Sequence, residues 1–135
     1  ALDVAGRAVG MILELKVEGI GNEACAIVKR TGFPGPLIYA SFLMPELQRV
    51  RQTDPDAKIM VLQHRRLPPD PVADVVALDA SHVGLHFSTV TPMLLQTYHN
   101  LGRQVFVYTV NEPQDIQRMR NLGVDGIISD FPDRI

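Results

Sequence analysis

The 135-residue sequence predicts an α/β chain built on a parallel sheet. Short runs rich in Val, Ile, Leu and aromatics alternate with amphipathic segments. The runs are apolar at both parities, as in strands covered on both faces. Strand starts recur about every 20 to 27 residues, an interval suited to right-handed βαβ crossovers. Two architectures fit these observations: a doubly wound open sheet, or part of a (β/α)8 barrel. No linker, low-complexity tract or sequence repeat divides the chain, so residues 1–135 read as one domain.

The strand candidates, in order, are 9–17 (VGMILELKV), 36–42 (PLIYASF), 58–63 (KIMVLQ), 82–87 (HVGLHF), 104–110 (QVFVYTV) and 123–129 (GVDGIIS). Between them, 21–30 carries Ala24, Ile27 and Val28 on one helical face. The segment 45–53 begins with Pro45 at a first helical position and stops before Asp54-Pro55. Thr91 is the expected N-cap of a helix over 92–101, with Pro92 next and Gly102 as terminator. The segment 113–122 repeats the device with Pro113 and Gly123. The link HRRLPPDPVADVVALDAS has prolines that predict an irregular loop, with a short helix at 71–78.

The composition is that of an ordinary globular protein: 46% of residues are hydrophobic and 21% charged, with a formal net charge of −2. No strong field favours nucleic acid or anionic lipid. No apolar run reaches the roughly 18 residues of a membrane span. The start, ALDVAGRAVG, lacks a basic leader followed by an apolar core, which argues against a signal peptide. It also lacks an initiator methionine, as expected of a processed or partial product. The single Cys25 reads as a small packed side chain, and the expected compartment is a reducing, cytoplasmic one.

One strand carries an oddity. In MILELK, residues 11–16, Met11, Leu13 and Leu15 share one face, while Ile12, Glu14 and Lys16 share the other. The second face starts apolar and turns charged toward the C-terminal end, where parallel α/β folds bind ligands. A buried carboxylate needs a partner, and Lys16 is within reach. A carboxylate suits a hard divalent cation and an ammonium suits a phosphate oxygen. A salt bridge at the rim is the simpler reading, and both stand at this point.

Other segments bear on that choice. Residues 105–133, VFVYTVNEPQDIQRMRNLGVDGIISDFPD, resemble the C-terminal signature of the glycerophosphodiester phosphodiesterase family. Tyr108 stands where the family usually has Trp, and Ser129 where it has Thr. ILELK resembles the family's Glu-x-Lys strand, and YASFLMPELQRVRQTDPDAKIMVL its Ser-Phe strand end with the following helix and strand. GLHFSTVTPMLLQTYHNLGRQV resembles the segment leading into the aromatic-Thr-Val-Asn strand. The family fold is a TIM barrel of roughly 250 residues. The resemblance makes MILELK the third barrel strand and GVDGIIS the eighth, so the expected fold is an incomplete TIM (β/α)8 barrel of about six parallel strands.

The resemblance implies roles for particular residues. Glu14 matches a carboxylate ligand of the family's divalent cation, Mg or Ca. Lys16 matches the lysine that steadies the substrate phosphate. Tyr108 matches the aromatic on the glycerol side of the pocket, and Phe42 is either another wall or core packing. Gln63 and His86 sit at strand ends that could line the mouth, and Asp130 has either a turn role or a ligand role. His99, near a helix C-terminus, reads as structural.

The family's His-Arg-Gly strand and its Glu-x-Asp segment have no counterpart in these 135 residues. His64 in QHRRLPP is followed by Arg65 and Arg66, without the glycine, and follows a different strand. The family reaction is hydrolysis of a small glycerophosphodiester to an alcohol and glycerol 3-phosphate. Without the acid and base histidines this chain alone is expected to be inactive. The alternatives are a non-catalytic assembling or binding module derived from the family, and an unrelated doubly wound binding domain. Six strands of eight leave two open edges, which predicts a homo-oligomer.

Overall fold

The computed structural model describes residues 9–135. ALDVAGRA, most of the stretch read above as carrying no leader, lies outside the described residues. The strands are β1 (Met11–Glu14), β2 (Leu37–Ser41), β3 (Lys58–Leu62), β4 (His82–His86), β5 (Gln104–Tyr108) and β6 (Gly126–Ile127). The helices are α1 (Gly21–Thr31), α2 (Met44–Thr53), α3 (Ala73–Ala77), α4 (Pro92–Asn100) and α5 (Pro113–Leu122). Short 3-10 turns cover Phe87–Thr89 and Pro132–Arg134.

All six strands are parallel and lie in the order β1-β2-β3-β4-β5-β6. A doubly wound sheet reverses its strand order at a switch point. No reversal occurs here, so the fold is an incomplete (β/α)8 barrel. Among the described residues β1 pairs only with β2, and β6 only with β5. The two edges of the sheet are therefore open.

The elements form where local chemistry places them. Thr91 caps α4 by accepting from Leu94 N at 3.2 Å, and Pro92 occupies its first turn. Gly123 ends α5 at φ 88°, a left-handed conformation that suits glycine. The first strand is shorter than the predicted 9–17. After Leu15 N donates to Ala40 O, the chain leaves the ladder and turns toward α1. The last strand is likewise only Gly126–Ile127, flanked by the bonds Asp125 N to Val105 O and Ile128 N to Val107 O. In the proline-rich link only Ala73–Ala77 is helical, shorter than the predicted 71–78, because the prolines hold what precedes it in a loop.

The sheet packs two distinct layers. On the helix side, Ile59, Val61, Val83, Leu85, Val105 and Val107 are buried against Leu47, Val50, Val75 and Met119. On the inner side, Ala40, Met60 and Leu62 are buried, with Ile38, Phe42 and Phe106 packed on them. Gly126 lies against Phe106 so closely that a Cβ there would meet the ring at 2.7 Å. Cys25 is buried, as read from the sequence.

Candidate functional site

The C-terminal ends of the strands build a cavity of about 150 Å³ on the inner side of the sheet. Ile12 and Glu14 wall it from β1, Phe42 from the end of β2, and Leu62, Tyr108 and Ile128 from the other side. The face of MILELK that carries Glu14 is thus the inner one, while Leu13 and Leu15 pack into the helix-side core. Lys16 Nζ lies 3.6 Å from Glu14 Oε2 at the cavity rim, with the lysine side chain 77% and the glutamate 36% exposed. A pair this open is weakly held by its own attraction, and both groups remain accessible to a ligand.

Two residues not singled out in the sequence hold this rim in place. Ser41 Oγ is buried; it donates to Leu15 O at 2.7 Å and accepts from Leu43 N at 2.9 Å. That bond grips the peptide between Glu14 and Lys16. Glu46, on the first turn of α2, is fully buried. Its carboxylate accepts from Gly19 N at 2.8 Å, Ile20 N at 3.1 Å and Gly21 N at 2.8 Å, and pairs with Arg49. Burial pushes this carboxyl up, but the three N–H donors and the guanidinium outweigh it, so its pKa lies below the usual value. The β1–α1 loop is thereby tied to α2. The signal in the sequence was a carboxylate on the apolar stripe of Glu46, Leu47 and Val50; only the buried partners give it meaning.

The pocket walls are aromatic. The Tyr108 and Phe42 rings meet at 90° and the Tyr108 and His86 rings at 87°. Tyr108 Oη donates to Gln63 O, which fixes the ring against the end of β3. Burial raises the phenol pKa, and the Glu14 carboxylate raises it further, so Tyr108 stays a neutral donor. His86 is anchored by Ser88: its Nδ1 lies 2.7 Å from Ser88 Oγ and accepts from Ser88 N.

The side chains of two sequence-predicted positions are engaged by other residues of the chain. The Gln63 side chain turns to the helix side, where it donates to Pro71 O. Only its backbone carbonyl supports the pocket. Strand alternation explains this, because Leu62 takes the inner position. Asp130 is exposed and accepts from Asn111 Nδ2 at 3.0 Å, while its N–H donates to Asn111 Oδ1. Ser129 Oγ also donates to Asn111 Oδ1. Asn111 thus ties the end of β5 to the segment after β6. His99 Nε2 lies 2.7 Å from Asp125 Oδ2, a structural placement.

The donor set for a cation is thin. Hard divalent cations take six or more oxygens. Glu14 offers one carboxylate, and among the described residues no cluster of three His, Cys, Asp or Glu is placed to hold a metal ion. This part of the chain does not by itself fit such a site.

The signature of the family described as glycerophosphoryl diester phosphodiesterase matches residues 11–134. The chain belongs to the glycerophosphoryl diester phosphodiesterase family. A glycerophosphodiester phosphodiesterase of Caldanaerobacter subterraneus subsp. tengcongensis is 28% identical over 117 residues, covering 87% of this chain and 48% of the relative. A solved structure of this family from Silicibacter pomeroyi is 31% identical, with a TM-score of 0.83 over 94% of this chain and 48% of its own. An Oleispira antarctica phosphodiesterase shares the fold at 24% identity and a TM-score of 0.81, over 94% of this chain and 53% of its own. This glycerophosphoryl diester phosphodiesterase-family chain spans about half the length of the curated relatives it matches. No helix among the described residues is long and apolar enough to cross a membrane.

Proposed function

We propose that this chain supplies the phosphate-holding half of a glycerophosphodiester phosphodiesterase site. The observation that carries the reading is the accessible Glu14–Lys16 pair at the rim of an aromatic-walled cavity. In the family reaction an oxygen nucleophile attacks phosphorus, the bond from phosphorus to the alcohol oxygen breaks, and the departing alcohol takes a proton. Lys16 donates to a phosphate oxygen, while Tyr108 and Phe42 shield the glycerol carbons from water. Glu14 would offer one carboxylate toward the family's divalent cation, Mg or Ca, which would supply charge neutralisation at the phosphate. The cavity is smaller than the roughly 300–1,000 Å³ of small-molecule pockets, as half a pocket would be. The Oleispira antarctica neighbour was solved with the product sn-glycerol-3-phosphate, which supports a small phosphate ester as ligand.

The acid and base histidines of the family motif are absent from these 135 residues, so the chain alone binds without turning over. Titration with glycerol 3-phosphate, followed by amide NMR, tests the reading. Saturable shifts at Glu14, Lys16 and Tyr108 that vanish in Lys16→Ala support it; shifts elsewhere overturn it. Cation-dependent, chelator-sensitive diester hydrolysis by the purified chain would overturn the inactivity.

The open edges of β1 and β6 favour a second reading, a module that assembles. On its own the chain covers these edges by pairing with a second copy. Sedimentation showing a stable monomer overturns this.

A further inference from the structure

The phosphate-holding role leaves the far end of the ligand short of polar partners. Apart from Glu14 and Thr109, the side chains that wall the cavity are apolar or aromatic. The Tyr108 hydroxyl is already given to Gln63 O. Glu14 stands at the phosphate end, beside Lys16. A glycerol brings hydroxyls with it, and a hydroxyl that leaves water without a new partner costs binding free energy.

His86 is placed to answer that need. It is the last residue of β4, and strand alternation sets its side chain on the inner face, because Val83 and Leu85 pack into the helix-side core. It lies in register with Tyr108 on β5, and the two rings meet edge to face with centroids 5.8 Å apart. Phe87 stacks on it at 4.8 Å. In the sheet β4 is three strands along from β1, so His86 stands on the side of the mouth remote from Lys16.

The hydrogen bonds of the ring assign its proton. Nδ1 accepts from Ser88 N at 3.2 Å and lies 2.7 Å from Ser88 Oγ. A backbone N–H can only donate, so in the neutral ring the proton sits on Nε2. Nε2 makes no hydrogen bond among the described residues, and the side chain is only partly buried. Nδ1 also caps the 3-10 turn Phe87–Thr89, a role that is complete without Nε2. The ring is thus held in place with one N–H donor to spare.

We propose that His86 is a specificity-determining residue for the glycerol moiety, its Nε2–H donating to the terminal hydroxyl, the one farthest from the phosphate. The inference rests on the phosphate-holding reading of Glu14 and Lys16, which fixes the other end of the ligand.

The test titrates the full chain with glycerol 3-phosphate and with 2-hydroxypropyl phosphate, which lacks only that terminal hydroxyl. The parent should bind glycerol 3-phosphate about tenfold tighter, the net worth of one hydrogen bond. Two variants separate ligand binding from turn capping. Asparagine places an acceptor where Nδ1 lies but does not reach as far as Nε2, so His86→Asn should keep the turn and bind the two ligands equally. Glutamine carries an N–H donor out to the position of Nε2, so His86→Gln should keep part of the preference. Lys16→Ala should weaken both ligands. Equal affinity of the parent for the two ligands, a preference that survives His86→Asn, or one that His86→Gln erases overturns this inference alone. Failure of both ligands to bind, or indifference of both to Lys16→Ala, overturns the phosphate-holding reading and this inference with it.

Discussion

The Phe42 ring meets the Tyr108 ring edge to face, centroids 5.9 Å apart, across the cavity that Glu14 closes. The pair joins the ends of β2 and β5, which have β3 and β4 between them in the sheet. Phe42→Ala should therefore cost about 2 kcal/mol, below the roughly 3–5 of a fully buried ring because Phe42 is only half-buried. Tyr108→Phe should cost about 1 kcal/mol through the lost bond to the Gln63 carbonyl. Urea denaturation of the two variants measures both.

Ser41→Ala should lower stability by about 1–2 kcal/mol, since it removes the donor to Leu15 O at a buried position. It should also weaken glycerol 3-phosphate binding, although Ser41 is buried beneath the cavity rim. Ser41→Thr, which keeps the hydroxyl, should recover part of that affinity. An alanine variant with parent affinity would show that the bond does not position Lys16.

Glu46 makes a prediction with a sign. Its folded-state pKa lies below the ordinary 4.5, because three N–H donors and Arg49 outweigh the opposing effect of burial. Its contribution is therefore complete above 4.5 and is lost as pH falls below that value toward the folded pKa. Glu46→Gln should flatten this acid limb of the stability curve. At neutral pH it should cost about 3 kcal/mol or more, because one amide oxygen replaces two carboxylate oxygens facing three donors and a guanidinium. Denaturation midpoints between pH 3 and pH 7 check both.

His82 acts in a higher window. It is buried on the inner side against Phe106, with Ser81 Oγ 2.6 Å from its Nδ1. Burial lowers its pKa from 6.5; Lys58 adds to that, while Gln104 and Asp125 oppose it. The native state thus binds its proton less readily than the unfolded chain. Stability is complete above 6.5 and falls as pH drops below 6.5 toward the folded value. Melting temperatures at pH 8 and pH 5.5 should differ less in His82→Gln than in the parent. An equal difference in both proteins would assign the acid sensitivity to other groups.

Much of this molecule was legible in one dimension. Apolar runs at both parities, separated by helices with proline and glycine end signals, determined the six strands and the five helices between them, because capping and strand burial are local chemistry. MILELK alone placed Glu14 and Lys16 on one face, since strand alternation is a geometric property of the backbone. The motifs around Tyr108 and in GVDGIISDFP identified the family. The tertiary structure decided the rest. Strand order separated an incomplete barrel from a doubly wound sheet, which the spacing of elements could not do, because both use the same crossover. It gave the Gln63 side chain to Pro71 and Asp130 to Asn111, because the partner that engages a side chain beyond a strand end comes from a segment distant in sequence. It also brought Ser41 to Leu15 and Glu46 to the α1 loop, pairs some 26 residues apart whose partners are backbone atoms. A backbone donor has no signature in the sequence, so only the folded register can show which side chain it meets.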